Sequence, residues 1–163
     1  MALHFSQEEF KLRKSKVLNS MKEQDIDALL MFRQESMYWL TGYDTFGYVF
    51  FQTLILDQTG NIILLTRAPA LRQAKNTSNI GDIRIWIDKN GSNPTDDLKV
   101  ILEELNLKGK KLGIEYEAYG LTGRNTLRLN KSLENYFHLE DKSDLVTQLR
   151  VVKSKEEIVY VRK

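Results

Sequence analysis

The chain has 163 residues, 42% hydrophobic and 28% charged, a globular balance that excludes a disordered or fibrous chain and suffices for one ordinary domain. Lys and Arg number 24 against 22 Asp and Glu, so the net charge is +2, too even for binding nucleic acid by bulk charge. There is no cysteine, which excludes disulfides, a thiol nucleophile and a zinc–thiolate centre, and the two histidines, His4 and His138, are far apart.

Ser6-Gln7-Glu8-Glu9 is a capping box: the Ser6 hydroxyl accepts from the amide three residues on, and Glu9 reaches back. Phe10, Val17, Leu18 and Met21 continue it as a helical stripe, interrupted by Arg13 and Lys14, to an end near Gln24. Asp27-Ala-Leu-Leu-Met-Phe32 is an apolar run of strand length. Ser36 is placed to cap a helical turn over 37–40 that Gly42 stops, and a loop runs on to Gly47. Two strands are expected next, over 48–56 and 61–66. Asp57-Gln58-Thr59-Gly60 joins them, its glycine supplying the positive φ of a tight hairpin. A helix over 67–75 precedes Ile83-Arg84-Ile85-Trp86-Ile87, whose period of two marks a half-buried strand near an edge.

Asn93-Pro94 opens the clearest helix, with Leu98, Ile101, Leu102 and Leu105 on one face and Gly109 placed to end it. Lys111-Leu-Gly-Ile-Glu115 is the next strand. Thr122 begins a helix carrying Leu129 and Leu133, Tyr136 to Leu139 is a last short strand, and a short helix spans 143–149. Ser154-Lys155-Glu156-Glu157 is a second capping box, opening a helix that runs to Lys163. Its Ile158, Val159 and Val161 are expected to be under-packed in this chain. Helices and strands alternate around one hairpin, which predicts an α/β fold: a mixed β-sheet with helices on both faces.

Little catalytic chemistry can be assembled from these residues. Lys108-Gly109-Lys110-Lys111 has the wrong spacing for a phosphate-binding loop, and Gly120-Leu-Thr-Gly123 reads as a helix-entry turn. Asp57, Asp88 and Glu115 fall in a hairpin turn, a polar loop and a strand end, and are read as solvated or turn acids. No set of carboxylates for a two-metal site emerges. The start of the chain has no apolar run of signal-peptide type, and the most apolar stretch, 48–56, is far short of a membrane span, so the expected compartment is the cytoplasm. Asn76-Thr77-Ser78 and Asn130-Lys131-Ser132 are then chance matches to a glycosylation pattern. The aromatic run Tyr38 to Phe51 stands apart. Its strand portion supplies core, whereas Tyr43, Asp44 and Phe46 lie in a glycine-bounded loop, where recognition residues gather.

Two stretches together resemble a known family. Glu35-Ser-Met-Tyr-Trp-Leu-Thr-Gly-Tyr43, preceded by Asp27-Ala-Leu-Leu, is similar to the N-terminal domain of the creatinase/prolidase/aminopeptidase P family. Leu149-Arg-Val-Val-Lys-Ser-Lys-Glu-Glu-Ile158 resembles that family's junction into its second domain. The resemblance implies a ribonuclease H-like N-terminal domain without a ribonuclease site over 1–150, then a junction helix over 151–163. It places catalysis in a C-terminal pita-bread domain that holds two divalent metal ions, such as manganese, through two Asp, one His and two Glu, and that hydrolyses Xaa-Pro or related C–N bonds. None of those ligands can be carried over to a residue of this chain.

The implied role here is dimerisation and access to the active site of a second, identical subunit, with Tyr43, Asp44, Phe46 and Tyr48 as substrate-access residues acting in trans. The implied partners are the chain's own catalytic domain and that second subunit, with neither nucleic acid nor membrane. In the creatinase branch the same loop presents Phe-Gly-Arg. Here it reads Phe46-Gly47-Tyr48, which disfavours creatine and favours a peptidase or an ectoine-type amide hydrolase. The alternative class is a protein–protein interaction module, like the histone chaperones whose second domain has lost its metals.

Overall fold

The computed structural model describes residues 3–162; Met1, Ala2 and Lys163, and the parts of the sequence reading that fall on them, lie outside. Helix α1, Gln7–Glu23, begins at the Ser6 cap, whose hydroxyl accepts from the Glu9 amide at 3.1 Å. Glu9 does not reach back as the capping box requires. Its carboxylate accepts from Arg13 Nε at 2.8 Å, and the Ser6 amide donates instead to Glu156, at 3.0 Å. Arg13 does not break the apolar stripe. It is 1% exposed, paired to Glu9, and donates to the Trp39 carbonyl at 2.8 Å.

Strand β1, Ala28–Met31, is buried throughout. Helix α2, Gln34–Thr41, starts earlier than Ser36 would place it: its cap is Arg33, and Ser36 lies inside the helix with its side chain buried. Gly42 ends α2 at φ +80°, where a Cβ would come within 2.9 Å of the Thr77 carbonyl oxygen. The expected strand from Tyr48 does not form. Phe46–Val49 is a 3₁₀ turn capped by Thr45, whose Oγ1 accepts from the Gly47 amide at 2.9 Å. Strand β2 is Thr53–Asp57, and it pairs with β3, Ile62–Arg67, through the tight turn that ends at Gly60, φ +90°. The pairing runs out at Thr53 opposite Leu65, so residues 48–52 have no ladder to join.

A 3₁₀ turn, Ala68–Ala70, leads into α3, Leu71–Thr77. Strand β4, Asp82–Trp86, lies at one sheet edge, as its alternation suggested. Helix α4, Pro94–Glu104, starts at its Asn93 cap but stops before Gly109, because Asn106 already turns the chain at φ +57°. Then follow β5, Lys111–Ile114; α5, Gly123–Leu133, capped by Thr122; β6, His138–Asp141; α6, Leu145–Val151; and α7, Lys155–Val161, whose Ser154/Glu157 capping box is complete.

The six strands form one mixed sheet in the order β4-β3-β2-β1-β5-β6. β1–β2 and β2–β3 are antiparallel; β3–β4, β1–β5 and β5–β6 are parallel. Alternate residues of β1 feed two cores: Ala28 and Leu30 pack with Leu98, Leu102, Leu129 and Leu133 of α4 and α5, while Leu29 and Met31 pack with Val17, Met37, Leu40 and Val146 of α1, α2 and α6. The architecture is therefore α/β, a mixed sheet with helices on both faces. Among the described residues no helix is long and apolar enough to cross a membrane.

Candidate functional site

Parallel strands β1 and β5 bring their carboxyl ends to the same side of the sheet. The segments that leave them, together with the 46–49 turn, wall a cleft of about 1290 Å³. Arg33, Tyr48, Tyr116, Tyr119 and Arg150 line it. Arg33 is fixed from three sides: Nε donates to the Glu117 carbonyl at 2.6 Å, one terminal nitrogen to Glu117 Oε2 at 2.5 Å, the other to Thr147 Oγ1 at 2.7 Å.

Glu115 lies behind this cleft. It is 0% exposed, contrary to the reading of a solvated strand-end acid. Its Oε2 accepts from the amides of Phe32 and Arg33, both at 3.0 Å, and its Oε1 bonds Ser36 Oγ at 2.6 Å. Burial pushes its carboxyl up to about 7, against the lowering effect of those hydrogen bonds. The carboxylate thus holds together the end of β5 and the start of α2, which explains why Ser36 is not a cap.

The sequence-predicted access residues separate in space. Tyr43 is 0% exposed, which corrects the expectation that its ring faces outward; its hydroxyl donates to Gln52 Oε1 at 2.9 Å, and burial raises its phenol above the usual range. Asp44 is exposed, and its amide donates to Thr77 Oγ1 at 3.1 Å. Phe46 is 88% exposed at the head of the turn. Tyr48 is exposed and packs edge-on against Tyr119, centroids 5.8 Å apart. Of the aromatics expected in a core strand, Phe51 is buried, whereas Tyr48 and Phe50 are exposed.

Gly120 sets the approach of the two loops that carry Tyr48 and Tyr119. A Cβ there would lie 2.4 Å from the Phe50 carbonyl oxygen and 3.0 Å from that of Tyr48. Its placement in a helix-entry turn did not reveal this. Among the described residues no group of three or more His, Asp or Glu is gathered closely enough to hold a metal ion. Asp57 is a turn acid, accepting from the amides of Thr59 and Asn61 at 2.9 and 3.0 Å.

The fold is that of the N-terminal domains of prolidase-type peptidases. Dipeptidase from Pyrococcus horikoshii superposes with a TM-score of 0.73 and 25% identity, over 90% of this chain and 38% of that one. The chain belongs to the creatinase/prolidase N-terminal domain family, whose model matches residues 13–152. It is 31% identical to the uncharacterized hydrolase/peptidase y4tM of Sinorhizobium fredii, over 98% of its own length and 42% of that protein. It is 27% identical to ectoine hydrolase of Halomonas elongata, over 99% of its length and 42% of that enzyme. The chain thus spans about two fifths of the length of the curated relatives it matches.

Proposed function

We propose that the chain serves as the non-catalytic N-terminal domain of a cytoplasmic, metal-dependent Xaa-Pro peptidase. The domain is taken as residues 1–150, and 151–163, which contain α7 (Lys155–Val161), as the junction into a C-terminal catalytic domain that holds the two divalent metal ions. Its roles are dimerisation and control of substrate access in the partner subunit. The observation that carries this reading is Phe46: a large ring, 88% exposed, at the tip of a capped turn beside Tyr48 and Asp44. With exposed Tyr48, Val49 and Phe50 it makes a run of apolar surface, and a patch of that kind supports the reading of a surface that another group covers. Tyr43, being buried, acts from within by holding the loop.

The test uses the full-length dimer. Phe46→Ala should lower kcat/KM on Xaa-Pro dipeptides about tenfold, equivalent to about 1.4 kcal/mol of transition-state stabilisation, and leave the melting temperature almost unchanged. A large drop in melting temperature with normal kinetics in the folded fraction would end the gating idea. The likeness to ectoine hydrolase favours a second reading, a C–N amide hydrolase. Metal-dependent turnover of ectoine but not of Xaa-Pro dipeptides by the full-length protein would select it. Turnover of neither, with loss of the two Asp, one His and two Glu in the C-terminal part, would select the interaction module.

A further inference from the structure

Tyr48 and Val49 of the 46–49 turn line the large cleft, and Phe46 and Gly47 line a second, smaller one of about 320 Å³. That is the size of small-molecule sites. Phe46, Phe50, Gln52, Thr66 and Arg67 line it, and none of its lining residues is acidic. Its base is polar and built. Gln52 is 3% exposed, and its amide oxygen accepts two hydroxyl bonds, from Tyr43 at 2.9 Å and from Thr66 at 3.0 Å. Both hydroxyls hold the same end of the amide. The Gln52 amide nitrogen, a donor of two hydrogens, is left without a hydrogen bond among the described residues.

Arg67 adds charge beside it. One terminal nitrogen pairs with Asp88 at 3.1 Å, and the guanidinium lies 3.9 Å from the centre of the Phe50 ring. Its Nε is buried with no partner among the described residues. A buried donor without an acceptor is costly, and Arg67 Nε is one; with the open Gln52 amide nitrogen beside it and no acid in the lining, the cleft is set for an acceptor of negative charge, although Asp88 already takes one terminal nitrogen of Arg67. The two rings supply the apolar wall.

We infer that this cleft is a binding site for a small monocarboxylate with a flat apolar body, its carboxylate bonded by Gln52 Nε2 and the Arg67 guanidinium and its body against Phe46 and Phe50. This assigns buried Tyr43 a function: with Thr66 it fixes which end of the Gln52 amide meets the ligand. The inference needs no catalytic domain.

Benzoate and its neutral counterpart benzamide test it, titrated separately into the ¹⁵N-labelled chain. Benzoate should shift the Gln52 side-chain amide and the Gly47 backbone amide saturably, and benzamide should bind about tenfold more weakly. Arg67→Met keeps the packing on Phe50 and removes the charge, so it should erase the preference for benzoate. Gln52→Glu keeps both accepted hydroxyl bonds and replaces the donor, so it should abolish benzoate binding. Circular dichroism checks that each variant folds; if Gln52→Glu does not, the wild-type pair and Arg67→Met decide. Equal titration by both probes, no saturable shift up to about 20 mM, or a benzoate preference unchanged in Arg67→Met would overturn the inference.

Discussion

A carboxyl group with no contact to water binds its proton more tightly than the same group in an unfolded chain, and Glu115 is in that position, with burial pushing it up to about 7. Between its ordinary value, 4.5, and about 7, the native state holds the proton while the unfolded state has lost it. The contribution to stability is therefore complete below 4.5 and disappears as pH rises through 7, with an upper size of about 3 kcal/mol. Ser36 accommodates both forms, since its hydroxyl can donate to the carboxylate or accept from the acid. Glu115→Gln, which keeps an acceptor for the Phe32 and Arg33 amides, should flatten the pH dependence between 5 and 8. Urea denaturation at several pH values measures it; an unchanged slope would show that Glu115 is ionised throughout. The strand leading to Glu115 was legible in the sequence, but its burial was not. The groups that satisfy it lie some eighty residues earlier, and no local pattern announces them. Arg13 escaped notice for the same reason: a charge in an apolar stripe reads as an interruption until Trp39 and Glu157 are placed around it.

Helices and their caps were the most legible elements, because Ser6, Asn93, Thr122 and Ser154 act on their own next few residues. The aromatic segment 46–52 misled, since apolar side chains in a row suggest a strand whether or not a neighbour is there to pair with. What holds that segment is Gly120, and a side chain there must displace backbone. Gly120→Ala should cost about 1–3 kcal/mol, shift the amides of 48–50, and leave those of β1 unmoved. Thermal melts and amide chemical shifts check both halves; a neutral melt with unmoved loop amides would mean the two loops are not in register. Helix α7 has no buried residue, and Val159 and Val161 are exposed, yet Glu156 bonds Ser6, Glu157 accepts from the Trp39 indole at 3.0 Å, and the Tyr160 hydroxyl donates to the His4 carbonyl at 2.6 Å. Polar ties, rather than core, keep it in place. Glu157→Ala leaves the Ser154 hydroxyl cap on the backbone but removes the reciprocal half of the capping box and the Trp39 bond together, and should speed amide exchange through 156–162 about tenfold, with β5 unaffected. Exchange already unprotected in the parent chain would show that the ties do not hold.

For the whole molecule, the α/β class was readable from alternation, but the strand order was not. β1 sits between β2 and β5, one its near neighbour in sequence and the other some eighty residues on, and such pairing is set by two-sided packing. The clefts share that limit, being formed by loops that meet only after the sheet closes. The isolated chain should hydrolyse no Xaa-Pro dipeptide with added manganese or cobalt, since its described acids and histidines gather no metal-binding cluster. Turnover by purified chain that a chelator abolishes would refute this.

The ties between the first helix and the last also bear on how the chain is made. Ser6 and Glu156 are separated by 150 positions, and His4 and Tyr160 by 156. A ribosome adding about 5–20 residues per second takes roughly 8–30 s to cover that interval. Throughout it, α1 waits with Arg13 and Glu9 paired but with the Trp39 indole, the Ser6 amide and one side of Arg13 unserved. Closure of this end of the domain therefore waits until the ribosome has passed Tyr160. A nascent chain stalled before Glu156 should be sensitive to protease along α1, and one released beyond Tyr160 should be resistant.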